Sequence, residues 1–586
     1  MKSLTLPCLG KGLFIKAFHF LAGYTSAEFR INRKIYMLTQ QTEIIISDIN
    51  KPIQFADQEV KRRCIKAGWD INGDGEISYA EAALVSDIGE VFEEGNPDDF
   101  RGQRIESFEE CRFFVGLKEI RDFAFEGCLN LKSIILPNTI THIGEYAFST
   151  SGLEYISLPE SLISIGECAF EYTNLSSINL PSTIIEIGIG PFRGCNKLHR
   201  FEGKYSLDDG RCLIIGDTMV AFAPCGIDEY HVPERASHIG PEVFENIDNL
   251  SLYLPPTFKS FYHGFPWRSI HNCGGTLYIN SDLEGNAGFL NSFKTIIYGP
   301  NVTSVNNTMA GNHYLENVIF ETPEKIKSIH SHAFSHCSSL KRLSIPKNVI
   351  FIGECAFEYC GLESIVLPPS LTSLEKGLFI GCHELRAISI PDNVCVIGEN
   401  AFKGCSALQT VQLPKSLKYI KKFAFANCEN LSSIKFPNGL EVIGDNTFYG
   451  CGKIKDVIIS PFVKIIGERA FEGCSSIESL NFSDVSHDIQ IGKSAFNGCI
   501  KLSTTNITNR DLLERYIKDD VFSSDIEYMG RCPILIKFER DRIIDKIKAN
   551  GPFDDIPQDD EDRRWMIEDG LNEALNGDSS AKWNID

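Results

Sequence analysis

The chain has 586 residues, too many for a single compact core, because chains beyond about 250–300 residues usually divide into domains or grow as linear arrays. Its composition, 43% hydrophobic and 23% charged, is typical of soluble, ordered proteins. The formal net charge of −21 argues against nucleic acid and anionic membranes as partners, since both require clustered Lys and Arg. The sequence contains no run of about 20 apolar residues, so no transmembrane segment is predicted.

Residues 1–50 form an N-terminal segment of unclear status. A secretory signal needs an uninterrupted apolar region of about 7–15 residues, and Lys16 and His19 interrupt this one. Tyr24 stands where a lipoprotein signal would need its lipid-bearing cysteine. The residues alone therefore leave export and residence in the cytoplasm both open.

Residues 51–100 contain a motif that predicts a calcium site. A short helix is expected at Gln58–Gly68, and the twelve residues after Trp69 follow the spacing of an EF-hand loop. Gly75 lies at the sharp turn of this loop, and Ile77 at its apolar position. The predicted Ca²⁺ ligands are the side chains of Asp70, Asn72, Asp74 and Glu81, the backbone carbonyl of Glu76, and Ser78, often through water.

The sequence contains no second loop of this kind, whereas sensor EF-hands generally occur in pairs. We therefore expect Ca²⁺ to stabilise the structure at the start of the following repeat domain and not to act as a regulatory switch. Tyr79–Ser86 is expected to form the helix after the loop. The alternative is a solvated acidic loop between two helices.

Residues 101–504 repeat one pattern. Phe402, Phe425 and Phe448 mark three copies spaced 23 residues apart. Each copy ends in Leu-x-x-Ile-x-Leu-Pro or a close variant, which predicts a short strand with alternate residues turned inward. Because so short a repeat cannot bury its own apolar face, the copies must stack, and the predicted fold is a leucine-rich repeat solenoid. A hairpin insertion is expected near 205–230, turning at Gly216-Asp217.

Half of the 20 cysteines lie three residues after a repeat phenylalanine. This regular placement favours small buried side chains over disulfides, metal ligands or nucleophiles. The ten predicted core thiols are Cys128, Cys195, Cys337, Cys360, Cys382, Cys405, Cys428, Cys451, Cys474 and Cys499.

The repeats resemble those of BspA-like (Treponema-type) leucine-rich repeat surface proteins, as in FEGCLNLKSIILP, FKGCSALQTVQLP and FANCENLSSIKFP. Two further segments strengthen the resemblance, DINGDGEISYAEAALVSDIG before the repeats and DDGRCLIIGDTMVAFAPCGIDEYHVPERASHIG within them. The resemblance spans about residues 60–500. It implies a secreted or surface-attached protein that binds host matrix proteins or other bacterial cells.

The outward strand positions carry mainly small hydroxyl and amide side chains, which suit a broad contact or an inert surface. The candidate partner contacts there are Tyr155, Arg342, Val366, Lys435 and Ile458.

No catalytic arrangement is predicted, so the chain is expected not to be an enzyme. His332 and His336 have a spacing found in metal sites, but they flank the repeat residue Phe334 and are predicted to be turn residues.

Residues 505–586 are predicted to form an acidic, mainly helical region. The expected helices lie at Asp511–Asp520, Asp541–Ala549 and Asp562–Leu575, and serve either as a C-terminal cap or to dock a partner. Two functions remain open. One is an extracellular or cell-surface adhesion protein with structural calcium, and the other is a cytoplasmic scaffold that uses the repeats and the acidic C-terminal helix.

Overall fold

The computed structural model describes residues 49–89, 91–92, 105–207, 209–244, 247–261, 274–284, 293–482, 489–505, 515–516 and 521. The predicted leader and the predicted C-terminal helices lie outside these residues, except for residues 49–50 and 515–516. The chain forms two compact units, residues 1–322 and 323–586. Among the described residues, no helix is both long enough and apolar enough to cross a bilayer.

The described part of the first unit contains two short helices before the repeats. Helix α1 is Gln58–Lys66, and Asp57 caps it by accepting hydrogen bonds from two first-turn N–H groups. Helix α2 is Tyr79–Leu84, which begins with a capping box formed by Ser78 and Glu81. A 3₁₀ helix at 109–113 then leads into the repeats.

Two columns of short strands run through the first unit, and the strands within each sheet of a column are parallel apart from one hairpin strand. The A strands are Ser107–Phe108, Ser133–Ile135, Tyr155–Ser157, Ser177–Leu180, Arg200–Gly203, Glu229–His231, Ser251–Tyr253, Thr276–Ile279, Thr295–Tyr298 and Asn317–Phe320. The B strands are Glu119–Ile120, His142–Ile143, Ser164–Ile165, Glu186–Ile187, Cys212–Ile215, Thr218–Phe222, His238–Ile239, Ser260–Phe261 and Ser304–Val305, the last followed by a 3₁₀ turn at Asn307–Met309.

The second unit repeats this arrangement. Its A strands are Arg342–Ser344, Ser364–Val366, Ala387–Ser389, Thr410–Gln412, Asp456–Ile459, Ser479–Phe482 and Thr504–Thr505, with a single parallel bridge at Ser433 in the remaining coil. Its B strands are Ser328–Ile329, Phe351–Ile352, Ser373–Leu374, Val396–Ile397, Tyr419–Ile420, Val442–Ile443, Ile465–Ile466 and Gln490–Ile491. Within each sheet, a strand pairs with its equivalent in the next coil, as the repeat predicts, and the B column is divided between Phe351–Ile352 and Ser373–Leu374.

The repeat phenylalanines form a stack inside each unit. The ring of Phe425 is fully buried and lies nearly parallel to its neighbours, with centroids 5.0 Å from Phe402 and 5.4 Å from Phe448. Each ring therefore packs against the same ring in the coils before and after it, which extends one core along the repeats.

The ten predicted core cysteines are all buried, which confirms that prediction. In most coils, the thiol donates a hydrogen bond to the carbonyl of the repeat phenylalanine in the preceding coil. The Cys428 thiol donates to the Phe402 carbonyl at 3.2 Å, and the Cys451 thiol donates to the Phe425 carbonyl at 3.1 Å. Burial raises the pKa of Cys405 to about 12, so this thiol stays protonated at neutral pH.

Two turn positions in the coils explain why glycine recurs close to the repeat phenylalanine. The residues two before and two after the repeat phenylalanine adopt left-handed backbone angles, for example Gly404 with φ +75°. Non-glycine residues lose about 1–2 kcal/mol in this conformation, which is why glycine recurs after the phenylalanine. His332 and His336, each with φ 60°, occupy these two turn positions, as predicted.

The predicted hairpin is formed by Cys212–Ile215 and Thr218–Phe222, which pair antiparallel around Gly216. Its second strand also pairs in parallel with His238–Ile239. The second strand of the hairpin is therefore part of the B-strand column through backbone hydrogen bonds. The sequence pattern does not indicate this pairing.

Candidate calcium site and binding face

The loop from Asp70 to Glu81 is closed by its own carboxylates. Asp70 accepts hydrogen bonds from the N–H groups of Gly73 at 2.7 Å and Gly75 at 2.9 Å. Glu81 reaches back to the start of the loop, where its Oε1 accepts from the N–H of Ile71 at 2.9 Å. The first and last predicted ligands are thus held by the same short stretch of backbone. Carboxylate and carbonyl oxygens are the ligand atoms that Ca²⁺ prefers, and Ca²⁺ binding at this loop stays a prediction.

Glu76 and Ser78 have different surroundings within the loop. The Glu76 side chain pairs with Lys61, with 2.6 Å between Oε1 and Nζ, so its charge is engaged outside the predicted ligand set. The Ser78 hydroxyl donates to Glu81 Oε2 at 2.7 Å. A ligand role for the Glu76 carbonyl and for Ser78 stays a prediction.

A neighbouring segment of extended chain lies at the position where paired EF-hand loops contact each other. Residues 49–53 run antiparallel to the end of the loop, with a bridge between Pro52 and Ser78. The Ile53 N–H donates to the Ile77 carbonyl at 2.8 Å. The upstream segment thus donates to the Ile77 carbonyl, the backbone group that would otherwise pair with a second loop. Sequence reasoning missed this segment, because nothing in residues 49–53 resembles a loop motif.

The helix pair packs directly on the first coil. Ile77 is fully buried and belongs to one continuous apolar cluster that extends into the repeats. The Trp69 and Phe114 rings lie 5.3 Å apart. A Cβ added to Gly116 would lie only 2.2 Å from the Val85 carbonyl oxygen, so the backbones of the two segments are in close contact. Order in the loop is therefore coupled to order at the entry to the solenoid.

The predicted alternation of inward and outward residues is confirmed on the A strands. Ile365 is 7% exposed and Val457 is fully buried, whereas their neighbours Val366 and Ile458 are 81% and 56% exposed. These neighbours project from the sheet into solvent.

The five predicted contact residues are all exposed, but they do not form one cluster. Tyr155 is 58% exposed and lies in the first unit. Arg342 and Val366 lie on adjacent A strands of the second unit, and Lys435 and Ile458 lie in adjacent coils further along. Val366 and Lys435 are three coils apart, which corresponds to about 14 Å at the usual strand spacing.

A shallow, open depression lies between these two pairs. Its floor is apolar at the inward positions and carries small hydroxyl and amide groups at the outward ones. The lining residues are Ile365, Ala387, Ile388, Ser389, Thr410, Val411, Gln412, Leu413, Ser433 and Lys435. The depression is thus a mixed apolar and polar surface on the A-strand side of the second unit.

The stacked coils with two strand columns define a leucine-rich repeat solenoid. The sequence profile of the BspA type Leucine rich repeat region matches residues 118–251, 303–413 and 396–527 with six copies. Because these residues make up more than half of the chain, the protein belongs to the BspA-type leucine-rich repeat family.

Several solved structures are similar to this chain. A leucine-rich repeat protein from Bacteroides ovatus is 23% identical, over 69% of this chain and 79% of that chain, with a TM-score of 0.30. The T. pallidum leucine-rich repeat protein is 27% identical, over 27% and 83% of the two chains, with a TM-score of 0.22. The pneumococcal vaccine antigen PcpA is 17% identical, over 63% and 68%, with a TM-score of 0.21. These scores are too low to support a functional conclusion. Curated protein sequences give no match.

Proposed function

We propose that this protein is a non-enzymatic interaction protein that binds a protein partner through the A-strand face of its second unit. The observation that carries the proposal is the depression between Val366 and Lys435, which combines an apolar floor with exposed residues at both ends. The small side chains of this face lose little rotamer entropy on binding, and Val366 and Ile458 add apolar area that a partner can bury.

The proposal includes Ca²⁺ bound by Asp70, Asn72, Asp74, Glu76, Ser78 and Glu81. Support comes from the oxygen donors at EF-hand spacing and from the left-handed backbone of Gly73 and Gly75. The ion would offset the repulsion among three carboxylates and join the two ends of the loop. Its role is to stabilise the N-terminal end of the solenoid.

We place the protein outside the cell or at the cell surface, with host matrix or other cell-surface proteins as partners. Family membership is the support for this location. Protease added to intact cells that make the protein should remove the signal of an antibody against the repeats, while a cytoplasmic marker remains intact. Protection of the repeats from protease on intact cells would instead favour the cytoplasmic scaffold.

The binding face can be tested by one charged substitution and a matched control. Val366→Glu should weaken binding to immobilised extracellular-matrix proteins by about tenfold or more, because it replaces exposed apolar area at one end of the depression with a charge that the partner must desolvate. Ile350→Glu is the control, since Ile350 is 64% exposed but lies beside the B strands of the same unit. Surface plasmon resonance measures both variants. Equal losses, or no binding by the parent protein, would contradict the proposal.

A further inference from the structure

One octapeptide, Ile-Gly-Glu-Cys-Ala-Phe-Glu-Tyr, occurs in both units, at residues 165–172 and 352–359. Its cysteines, Cys168 and Cys355, lie two residues before the repeat phenylalanine, outside the position of the ten core thiols. Both adopt the left-handed turn conformation, with φ 50° and 54°. The two copies therefore place the same side chains in the same part of a coil, and their surroundings can be compared directly.

In the first unit, Glu171, the second glutamate of the octapeptide, forms an ion pair with an arginine of the next coil. The Arg193 Nε donates to Glu171 Oε1 at 2.7 Å, and its Nη1 donates to Glu242 Oε2 at 2.8 Å. The Arg193 and Glu171 side chains are 8% and 7% exposed. A buried carboxylate requires such a partner, because an unpaired charge in this environment is costly.

In the second unit, the equivalent positions hold different residues. Ile380 stands where the first unit has Arg193, so the aliphatic side chain supplies no cation to Glu358. His332 takes the place of the tyrosine in the coil before, and its Nδ1 lies 3.6 Å from Glu358 Oε2. One ligand atom each from His332, Cys355 and Glu358 lies within 4.8 Å of the others.

The neighbouring coil leaves room for the sulfur atom. Gly377 lies next to Cys355, and a Cβ at this position would be only 2.7 Å from the Cys355 sulfur. His332 is 50% exposed and Glu358 is 22% exposed, so an ion can reach the cluster from solvent.

We propose that His332, Cys355 and Glu358 bind Zn²⁺, which takes the place that the Arg193 cation has in the first unit. Imidazole nitrogen, thiolate sulfur and carboxylate oxygen are all zinc ligands, and three of them leave a fourth tetrahedral position for water. Ligands about 2.0–2.3 Å from zinc lie about 3.3–3.8 Å apart at tetrahedral angles, so the 3.6 Å separation of His332 and Glu358 fits and the thiol moves inward by up to about 1 Å.

Binding would link two adjacent coils, since His332 belongs to one and Cys355 and Glu358 belong to the next. Because the thiolate is the form that binds metal, the thiol proton of Cys355 passes into solvent as the sulfur–metal bond forms. No electron transfer is involved.

Cobalt(II) provides the test, because it occupies zinc sites and reports a thiolate ligand by its near-ultraviolet charge-transfer absorption. The full-length protein in excess Ca²⁺ should show this absorption with about one equivalent of Co²⁺, and Zn²⁺ should abolish it. Cys355→Ser should remove it. Cys168→Ser, the same octapeptide position in the first unit, should leave it unchanged.

A second variant separates the site from general effects on folding. Ile380→Arg introduces the cation of the first unit next to Glu358 and should weaken Co²⁺ binding by about tenfold or more, with His332 and Cys355 both present. Circular dichroism must show the folded state for each variant. Absence of the absorption in the parent, its persistence in Cys355→Ser, or its loss in Cys168→Ser would overturn the proposal.

Discussion

Replacing Glu81 by glutamine should abolish most of the calcium-dependent stabilisation of the N-terminal part. Ca²⁺ at about 100 times its dissociation constant adds about 2.7 kcal/mol to the free energy of unfolding. Glu81 stands at the loop position whose carboxylate usually binds through both oxygens, so the amide should raise the calcium dissociation constant by about tenfold or more. Calorimetric titration and thermal melting, each with calcium and with chelator, measure the two effects.

The glutamine variant removes the charge of Glu81 and one of its two acceptor oxygens. Glutamine can keep the capping box with Ser78, but its amide nitrogen cannot accept, whereas in the parent Oε1 accepts from Ile71 and Oε2 accepts from Ser78. With chelator present, we therefore expect the variant to melt below the parent, although repulsion with Asp70 and Asp74 is reduced. The stability difference between the two proteins should increase when calcium is added.

Glu76→Gln is the matched control for this experiment. It also removes one carboxylate from the loop, but its side chain pairs with Lys61 and only its backbone carbonyl is a predicted ligand. Calcium affinity should change far less than in Glu81→Gln. Equal shifts in the two variants would mean that net charge alone is measured. If calcium changes neither melting nor protease sensitivity of the parent, the structural role of the ion is wrong.

Replacing Phe425 by alanine should lower the free energy of unfolding of the second unit by about 3–5 kcal/mol. The ring is fully buried and stacked on both sides, and coils this short are stabilised mainly by their neighbours. The cavity would therefore weaken two coil interfaces at once. Denaturant unfolding gives the size of the effect, and hydrogen exchange should show the loss of protection centred on coils 402–448.

Phe462→Ala is the control for the phenylalanine stack. Phe462 lies in the same unit and is 59% exposed, so its loss removes a similar side chain from solvent and not from the core. We expect a change within about 0.5 kcal/mol. A similar loss in both variants would show that the stacked rings have no special share in stability.

The sequence predicts the repeated features well, because each is defined by residues close together in the chain. The 23-residue spacing places one phenylalanine of each coil in the core, and strand alternation places Ile365 inside and Val366 outside. The same spacing identifies Cys428 as a core thiol. The calcium ligands, still a prediction, are likewise defined within twelve residues.

Contacts between coils could not be predicted in this way. The thiol of Cys451 has the Phe425 carbonyl as its partner, 26 residues earlier, and this depends on how far each coil is offset from the next. Residues 49–53 pair with the loop only after the chain turns back through α1. The sequence gives no signal for either partner before the register is known.

By itself, the amino-acid sequence determined the coil, its buried face and the oxygen donors of the loop, because periodic patterning and local turn chemistry act over a few residues. The tertiary structure decided which side chains meet across adjacent coils. Two identical octapeptides thereby acquire different surroundings, one with Arg193 against Glu171 and the other with His332 near Glu358. The physical reason is that a carboxylate removed from water must pair with a side chain of an adjacent coil, and only the stacking of the coils brings that side chain into contact.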